Sequence, residues 1–87
     1  MIGKHVLINL SVTIGHAVKI DNFSSVMPGV NIAGAVTIGE SVLVGSGANI
    51  RNHVCLHNRC VIGMGAVVLK DVPAGMIAVG VPAKPLS

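Results

Sequence analysis

The sequence predicts an all-β protein, a parallel β-solenoid whose short strands wind around one narrow apolar interior. A branched aliphatic residue recurs at every sixth position, a small or β-branched residue stands four positions after each of these, and glycine often follows the aliphatic residue directly. A period of six does not fit a helix of 3.6 residues per turn. Residues four apart on an extended chain point to the same face, so both series are expected to point inward.

Both series run through twelve consecutive hexapeptides. The aliphatic series is Ile2, Ile8, Ile14, Ile20, Val26, Ile32, Ile38, Val44, Ile50, Leu56, Ile62 and Val68. The second series is Val6, Val12, Val18, Ser24, Val30, Val36, Val42, Ala48, Val54, Cys60, Ala66 and Val72. The glycines after the aliphatic residues are expected to allow sharp corners between strands: Gly3, Gly15, Gly39, Gly45 and Gly63. One hexapeptide cannot bury its own apolar face, so successive turns must stack.

The pattern divides the 87 residues into a β-helix over residues 1–73 and an extended C-terminal tail over residues 74–87. The tail leaves the period of six, and its prolines suit an extended exit. With 52% apolar and 10% charged residues, the chain is too apolar for disorder. Its one aromatic residue, Phe23, is too few for a rounded aromatic core, which also favours a layered interior of small aliphatic side chains.

Charge and composition favour a soluble, cytoplasmic protein that binds neither membranes nor nucleic acid. No charge-free apolar run reaches the ~18 residues that a membrane span needs, and no secretory signal opens the chain. The net charge is +3, but the six Lys and Arg residues are scattered and have no interleaved aromatics, unlike a nucleic-acid surface. Cys55 and Cys60 lack zinc-ligand spacing and are expected to behave as buried small hydrophobes.

Four segments carry a resemblance to a known family that covers nearly the whole chain. They are N-L-S-V-T-I-G-H over residues 9–16, M-P-G-V-N-I-A-G-A-V-T-I-G over 27–39, I-G-M-G-A-V-V-L-K-D-V-P over 62–73 and V-G-V-P-A-K over 79–84. With them the sequence resembles the hexapeptide-repeat acyltransferases, most closely the sialic acid O-acetyltransferase and bacillosamine-type sugar N-acetyltransferase group. The resemblance implies a left-handed parallel β-helix of about four triangular coils, each made of three hexapeptides.

The resemblance also implies acetyl-CoA-dependent O- or N-acetylation of a sugar or sugar-nucleotide acceptor. His16 would act as general base while the acceptor attacks the thioester directly, and the backbone N–H of Gly34 would stabilise the oxyanion. Gly34 follows His16 by eighteen residues, which is one coil, so the two residues are expected to stack. The positions at which the family contacts acetyl-CoA correspond to Ser25, Gly34, Ser46, Met64 and Lys84, with Lys84 beside a CoA phosphate.

A homotrimer is the assembly that the resemblance implies, with acetyl-CoA in a groove between subunits. The open ends of a four-coil solenoid and its exposed apolar surface also favour association. His16 is expected at an outward corner that faces a neighbouring subunit. Full-length members of the family carry an N-terminal sugar-nucleotide domain, which we do not expect in this sequence.

Two alternatives stay open. A non-catalytic trimeric β-helix is favoured by the missing acid beside His16, whose neighbours are Gly15 and Ala17, and by the missing acceptor domain. Ser25 also stands where some members carry a second histidine, which argues against high activity. A metal site like that of the γ-class carbonic anhydrases, which share the fold, would use His16 and His57. Its third ligand would be expected at Asn52, but the nearby His53 is one residue out of register. We therefore expect no metal.

Overall fold

The computed structural model describes residues 1–86, which form thirteen short strands. They are β1 (Leu7–Ile8), β2 (Thr13–Ile14), β3 (Lys19–Ile20), β4 (Ser25–Val26), β5 (Asn31–Ile32), β6 (Thr37–Ile38), β7 (Leu43–Val44), β8 (Asn49–Ile50), β9 (Cys55–Leu56), β10 (Val61–Ile62), β11 (Val67–Val68), β12 (Ile77–Val79) and β13 (Lys84–Pro85). From β1 to β11 one strand begins every six residues, so the sequence period is the strand period. Residues 1–86 contain no helix that is long and apolar enough to cross a membrane.

The strands form three sheets, which are the three faces of a solenoid. Face A contains β3, β6 and β9, face B contains β1, β4, β7, β10, β12 and β13, and face C contains β2, β5, β8 and β11. Neighbouring strands up to β11 are parallel and lie eighteen residues apart, as in the pairing of Leu7 with Ser25 and of Thr13 with Asn31. Three hexapeptides therefore make one coil, and about four coils stack, in agreement with the predicted β-helix.

Turns join the faces at three corners, each of which repeats once per coil. Corner CA, which follows face C, contains His16, Gly34 and Asn52; corner AB contains His5, Phe23, Ser41 and Arg59; corner BC contains Leu10, Pro28, Ser46 and Met64. The second residue of each of these turns has a positive φ, which is +59° at Ala17 in corner CA and +64° at Phe23 in corner AB. The left-handed conformation of this one residue turns the chain from one face to the next.

The glycines that follow the aliphatic residues have a different role from the one expected. Gly15 does not have a positive φ, whereas Ala17, two residues later, does. At Gly3, a Cβ would collide with the side-chain oxygen of Asn22 on the next coil. That oxygen accepts the backbone N–H of Lys4 at 2.7 Å. These glycines therefore provide the space for close contacts between coils, and the corners are made elsewhere in the turn.

The interior is built from the two predicted series, which confirms that both point inward. Its fully buried members include Ile20, Val26, Val30, Val36, Ile38, Val42, Val44, Ala48, Leu56, Cys60, Ile62, Ala66 and Val68. Within residues 1–86 the one buried polar side chain is Ser24, whose hydroxyl donates to the Gly39 carbonyl at 2.6 Å and accepts the Val42 N–H at 3.0 Å. The first coil has no coil beneath it, so Ile2 and Ile14 are 50% and 39% exposed.

Residues 74–87, predicted as an extended tail, contribute a further rung to the solenoid. Val72 bridges to Leu56, and β12 pairs in parallel with β10, both sixteen residues back instead of eighteen. The coil is two residues shorter because a bend at Lys70 replaces the usual two-residue turn. The chain then reverses, and β13 pairs antiparallel with β12. Ser87, the last residue of the predicted tail, lies outside the described residues.

Candidate functional site

His16 and Gly34 occupy the same turn position on successive coils of corner CA. His16 is exposed in the turn after β2, and Gly34 is half-buried in the turn after β5. The two turns are in direct backbone contact, since the Ala35 N–H donates to the His16 carbonyl at 2.7 Å. A Cβ on Gly34 would lie 3.2 Å from the same carbonyl oxygen. The structure thus places Gly34 one coil from the imidazole, the arrangement on which the predicted pair depends.

The backbone N–H of Gly34 is an unused hydrogen-bond donor. None of the hydrogen bonds within residues 1–86 uses it, although the N–H groups of Ala33 and Ala35 on either side both donate to carbonyls. The approach to this nitrogen depends on Gly15, because a Cβ built there would lie 2.6 Å from the Gly34 nitrogen. An exposed corner with a free amide beside an imidazole can accept a proton and stabilise a developing negative charge.

Gly15 contributes to this corner, although the repeat pattern predicts only a corner-forming glycine at its position. In the structure Gly15 has no side chain to cover the Gly34 amide. The signal that could have found it is its position eighteen residues before Ala33, directly beside the stacked pair His16 and Gly34.

The predicted acetyl-CoA residues lie away from that corner. Ser46 and Met64 occupy the same position of corner BC on successive coils, and the Gly65 N–H donates to the Ser46 carbonyl at 2.9 Å. Met64 is 81% exposed, and Ser25 is half-buried on β4 in face B. Corner CA is separated from corner BC by the whole of face C and is the corner opposite face B. One chain therefore does not bring these three residues to His16.

Lys84 lies at the C-terminal end of the solenoid, on the exposed strand β13. A cavity of about 250 Å³ lies between the segment that contains this strand and the bend at Lys70, and it is lined by Leu69, Lys70, Pro82, Ala83, Lys84 and Pro85. Lys70 continues the row of His16 and Gly34 at corner CA, and Arg51 lies beside that row one coil earlier. Arg51 and Lys70 thus lie along corner CA, and Lys84 on β13 lines the same cavity as Lys70.

Face B presents an apolar surface to solvent. Its outward row contains Leu7 and Leu43, which are 54% and 40% exposed, and Ile77, which is 36% exposed. The adjoining corner BC adds Leu10 and Met64, which are 80% and 81% exposed. Ser25 lies between Leu7 and Leu43 in this row. Several exposed apolar side chains on one side of a protein are typical of an association surface.

The histidines considered as metal ligands are not brought together within one chain. His53 lies at corner CA in the row of Ala35, whereas His57 follows β9 at the far end of face A, with its Nδ1 3.9 Å from the Cys55 Sγ. Within residues 1–86 no group of three His, Cys, Asp or Glu side chains is placed to hold a metal ion. Burial raises the pKa of the Cys60 thiol to about 11, and burial followed by the Asp71 carboxylate raises the pKa of Cys55.

Comparison with known proteins places this fold in a recognised group. Residues 35–70 match the family described as bacterial transferase hexapeptide (six repeats). A comparison with curated proteins gives no significant match.

Solved structures match along almost the whole chain. A histidine-to-asparagine mutant of perosamine N-acetyltransferase from Caulobacter crescentus, in complex with CoA and GDP-perosamine, is similar with a TM-score of 0.97 and 30% identity over 99% of this chain and 41% of that chain. The acetyltransferase domain of PglB from Neisseria gonorrhoeae has a TM-score of 0.88 and 32% identity over 98% of this chain and 44% of its own. Soybean serine acetyltransferase has a TM-score of 0.91 and 34% identity over 98% of this chain and 39% of its own. This chain spans about two fifths of their lengths.

Proposed function

Because this chain belongs to the hexapeptide-repeat acyltransferases by its repeats and its structural relatives, we propose that it transfers an acetyl group from acetyl-CoA to an amine or hydroxyl of a sugar or sugar nucleotide. The observation that carries the proposal is the free Gly34 N–H one coil from the exposed His16 imidazole. All three of these relatives are named as acetyltransferases, and the first is described in complex with CoA and GDP-perosamine.

The chemistry assigned to corner CA is a direct transfer. Neutral His16 accepts a proton from the acceptor amine or hydroxyl as that group attacks the thioester carbonyl carbon, a contribution of roughly 10²–10⁴-fold. The carbonyl oxygen gains negative charge and accepts a hydrogen bond from the Gly34 N–H, worth about 3 kcal/mol in comparable sites. When the tetrahedral intermediate collapses, the C–S bond breaks, and the leaving thiolate takes the proton that His16 holds.

A cyclic homotrimer is part of the proposal because it unites residues that one chain keeps apart. Three subunits around an axis contact each other through two different surfaces, one on each side of the interface. In the proposed trimer, corner CA of one subunit packs against face B and corner BC of the next. This packing would bring Ser25, Ser46 and Met64 of the second subunit to His16 of the first. The apolar outward row of face B supports this assignment, since association would cover it.

The cations along corner CA suit the phosphates of CoA. Gly34 and Lys70 are two coils apart, a distance of about 10 Å along the axis at the spacing of parallel strands. This distance is within reach of the extended pantetheine arm of CoA between its thiol and its diphosphate. With the thioester at Gly34, the phosphates would reach Lys70 and Lys84, which line one cavity. A cytoplasmic location also belongs to the proposal, because Cys55 and Cys60 are free thiols.

Calorimetric titration with acetyl-CoA and a free-thiol assay with amino sugars test the proposal. Wild-type protein should bind acetyl-CoA saturably, and His16→Ala should lower transfer at least 100-fold while leaving acetyl-CoA binding and the oligomeric state unchanged. His53→Ala is the matched control, because His53 is an exposed histidine of the same corner, two coils further along. Transfer retained in His16→Ala would remove His16 from the mechanism.

A non-catalytic trimeric β-helix is the second candidate function. It is favoured by the exposed neighbour of His16, Ala17, which has no group to orient the imidazole. Absence of saturable acetyl-CoA binding, in a protein that is trimeric by light scattering, would favour this second function over transfer.

A further inference from the structure

Face C carries a ladder of hydrogen-bonded polar side chains on its outward side. The Thr13 hydroxyl donates to the Asn31 Oδ1 at 2.5 Å, and the Asn31 Nδ2 donates to the Asn49 Oδ1 at 2.9 Å. The ladder ends where the Asn49 Nδ2 donates to the Gly47 carbonyl at 3.3 Å. Each rung joins residues eighteen apart, so the three side chains form one row across the first three coils.

The ladder leaves hydrogen-bonding capacity directed at solvent. A carboxamide has two N–H donors and an oxygen with two lone pairs, and a hydroxyl oxygen has two lone pairs. Asn31 and Asn49 each use one N–H and one lone pair within the ladder, and Thr13 uses its O–H. One N–H of each carboxamide and oxygen lone pairs on all three residues are left over. The hydrogen bonds of the ladder hold these groups in fixed orientations.

The outward row of face C differs in chemistry from the other two faces. It contains Thr13, Asn31, Asn49 and Val67 and has no charged side chain. The corresponding row of face A begins with Lys19, and that of face B is mainly aliphatic. All three ladder residues are exposed. A neutral row of fixed donors and acceptors is complementary to a polyhydroxylated molecule, whereas it has no cation to pair with an anion and little apolar area to cover.

The ladder adjoins the proposed catalytic corner on the same coils. Thr13 precedes His16 by three residues, and Asn31 precedes Gly34 by three residues, so each rung lies within about 10 Å of a corner residue along extended chain. Successive carboxamides are about 4.8 Å apart at the spacing of parallel strands. This separation is close to that of alternate equatorial hydroxyls on a pyranose ring.

We propose that Thr13, Asn31 and Asn49 on face C form the subsite that binds the hydroxyl groups of a carbohydrate acceptor and directs its nucleophile to His16. This inference rests on the proposed function and names the residues that select its acceptor. The carboxamides donate to and accept from ring hydroxyls on one side of the corner, while the thioester carbonyl is held at Gly34.

The test compares Asn31→Val with Thr37→Val. Valine suits a strand and already stands at the equivalent outward positions of β10 and β11, and Thr37 is the matched exposed position on face A, one strand after Asn31. With glucosamine and UDP-glucosamine as probes, Asn31→Val should raise the KM of the acceptor about tenfold, the effect of losing one or two hydrogen bonds. The KM of acetyl-CoA and the acceptor-independent hydrolysis of acetyl-CoA should stay unchanged, and Thr37→Val should behave as wild type.

Two further measurements separate the other roles that the ladder could have. Saturation-transfer NMR with the same two probes should give a signal in wild type that weakens in Asn31→Val and in Asn49→Val. A ladder that serves only to hold the coils together would lower the unfolding midpoint of both variants and leave the acceptor KM unchanged, which would overturn the inference. A ladder that faces another subunit would change the oligomeric state in both variants, and this would overturn it as well.

The outcomes also separate this inference from the proposed function. Loss of acetyl-CoA binding in the wild-type titration would remove the proposed function itself. The face C subsite alone would be removed if acetyl-CoA binding and His16-dependent transfer were normal but substitutions of Asn31 and Asn49 left the KM of the acceptor unchanged. The absence of any saturation-transfer signal with either probe would likewise overturn the carbohydrate assignment.

Discussion

The backbone of Gly15 lies so close to Gly34 that a Cβ on Gly15 would be 2.6 Å from the Gly34 nitrogen. The same Cβ would lie 2.7 Å from the carbonyl carbon of Ala33. The neighbours in this contact are backbone atoms of the next coil, so relief requires that one coil shift against the other. The position of the proposed oxyanion donor is therefore set by a residue on the coil before it.

Gly15→Ala is expected to displace the Gly34 amide and to lower acetyl transfer at least tenfold, because the oxyanion donor would leave its position beside His16. It should also lower the free energy of unfolding by about 1–3 kcal/mol through the forced contact. The measurements are steady-state kinetics and urea denaturation. Gly75→Ala is the control, since an alanine at the φ of +73° of Gly75 would be strained but would have open space around its Cβ. Equal activity in both variants would contradict the prediction.

Ser24→Ala is expected to destabilise the solenoid by about 1–3 kcal/mol. The substitution removes the acceptor of the Val42 N–H and the donor to the Gly39 carbonyl in a fully buried layer. Urea denaturation followed by circular dichroism measures the change. Ser41→Ala, at an exposed corner, should change the midpoint little, and a similarly small effect of Ser24→Ala would show that water reaches the Val42 amide.

The buried thiol of Cys60 predicts a specific dependence of stability on alkaline pH. Burial raises its pKa to about 11, above the ordinary value of 9.0 that applies to the unfolded chain. Between these values the unfolded chain loses a proton that the folded chain retains. The contribution of Cys60 to stability is therefore complete below about pH 9 and falls as the pH rises towards 11. Between pH 8 and pH 10.5 the denaturation midpoint of the wild type should decrease more than that of Cys60→Val. An equal decrease in the two proteins would contradict the prediction.

Leu43→Glu is expected to convert the trimer to monomers, because it places a charge in the centre of the apolar row on face B. Light scattering after gel filtration measures the mass. Thr37→Glu introduces the same charge at the equivalent position of face A and should leave the trimer intact. The reverse result would assign the interface to face A.

The fold could be predicted from the sequence because its period is carried by side chains that all face the same interior. Ile20, Ile38 and Leu56 recur eighteen residues apart and are fully buried in one stack, and even the polar Ser24 lies inward as its place in the series predicted. Such regularity needs no knowledge of tertiary contacts, since each residue is buried by its own equivalents on neighbouring coils.

Two features could not be predicted from the period. The pattern shows that a small residue is needed at position 15, but it does not show whether the reason is a positive φ or a close approach between coils. In the structure the reason is the close approach. The period of six continues to Val72 in the sequence, whereas in the structure the last coil is already two residues shorter at this point, so that Val72 lies on Leu56 and Ala78 on Ile62. A contraction at one bend moves every later residue, and no single residue type marks it.

The candidate site was predictable in its parts but not in its arrangement. His16 and Gly34 share a position in the repeat, so the stacking of their turns follows from the spacing alone. The separation of Ser46 and Met64 from that corner follows from the same spacing, since Ser46 lies thirty residues after His16, which is one coil and two hexapeptides. How two subunits would join the two corners does not follow from the repeat. The Asn31–Asn49 ladder depends on side-chain orientation, which the repeat does not encode beyond facing outward.

The antiparallel strand β13 makes the two ends of the solenoid differ in their ability to add a further β-strand from another chain. A parallel rung such as β12 would otherwise offer a free edge onto which another chain could add, as in the spread of cross-β fibres. β13 occupies that edge, and its own outer side contains Pro85, which has no N–H to donate to a further strand. Lengthening by edge addition on this face is therefore blocked at the C-terminal end, so molecules at high concentration should not elongate from there into filaments.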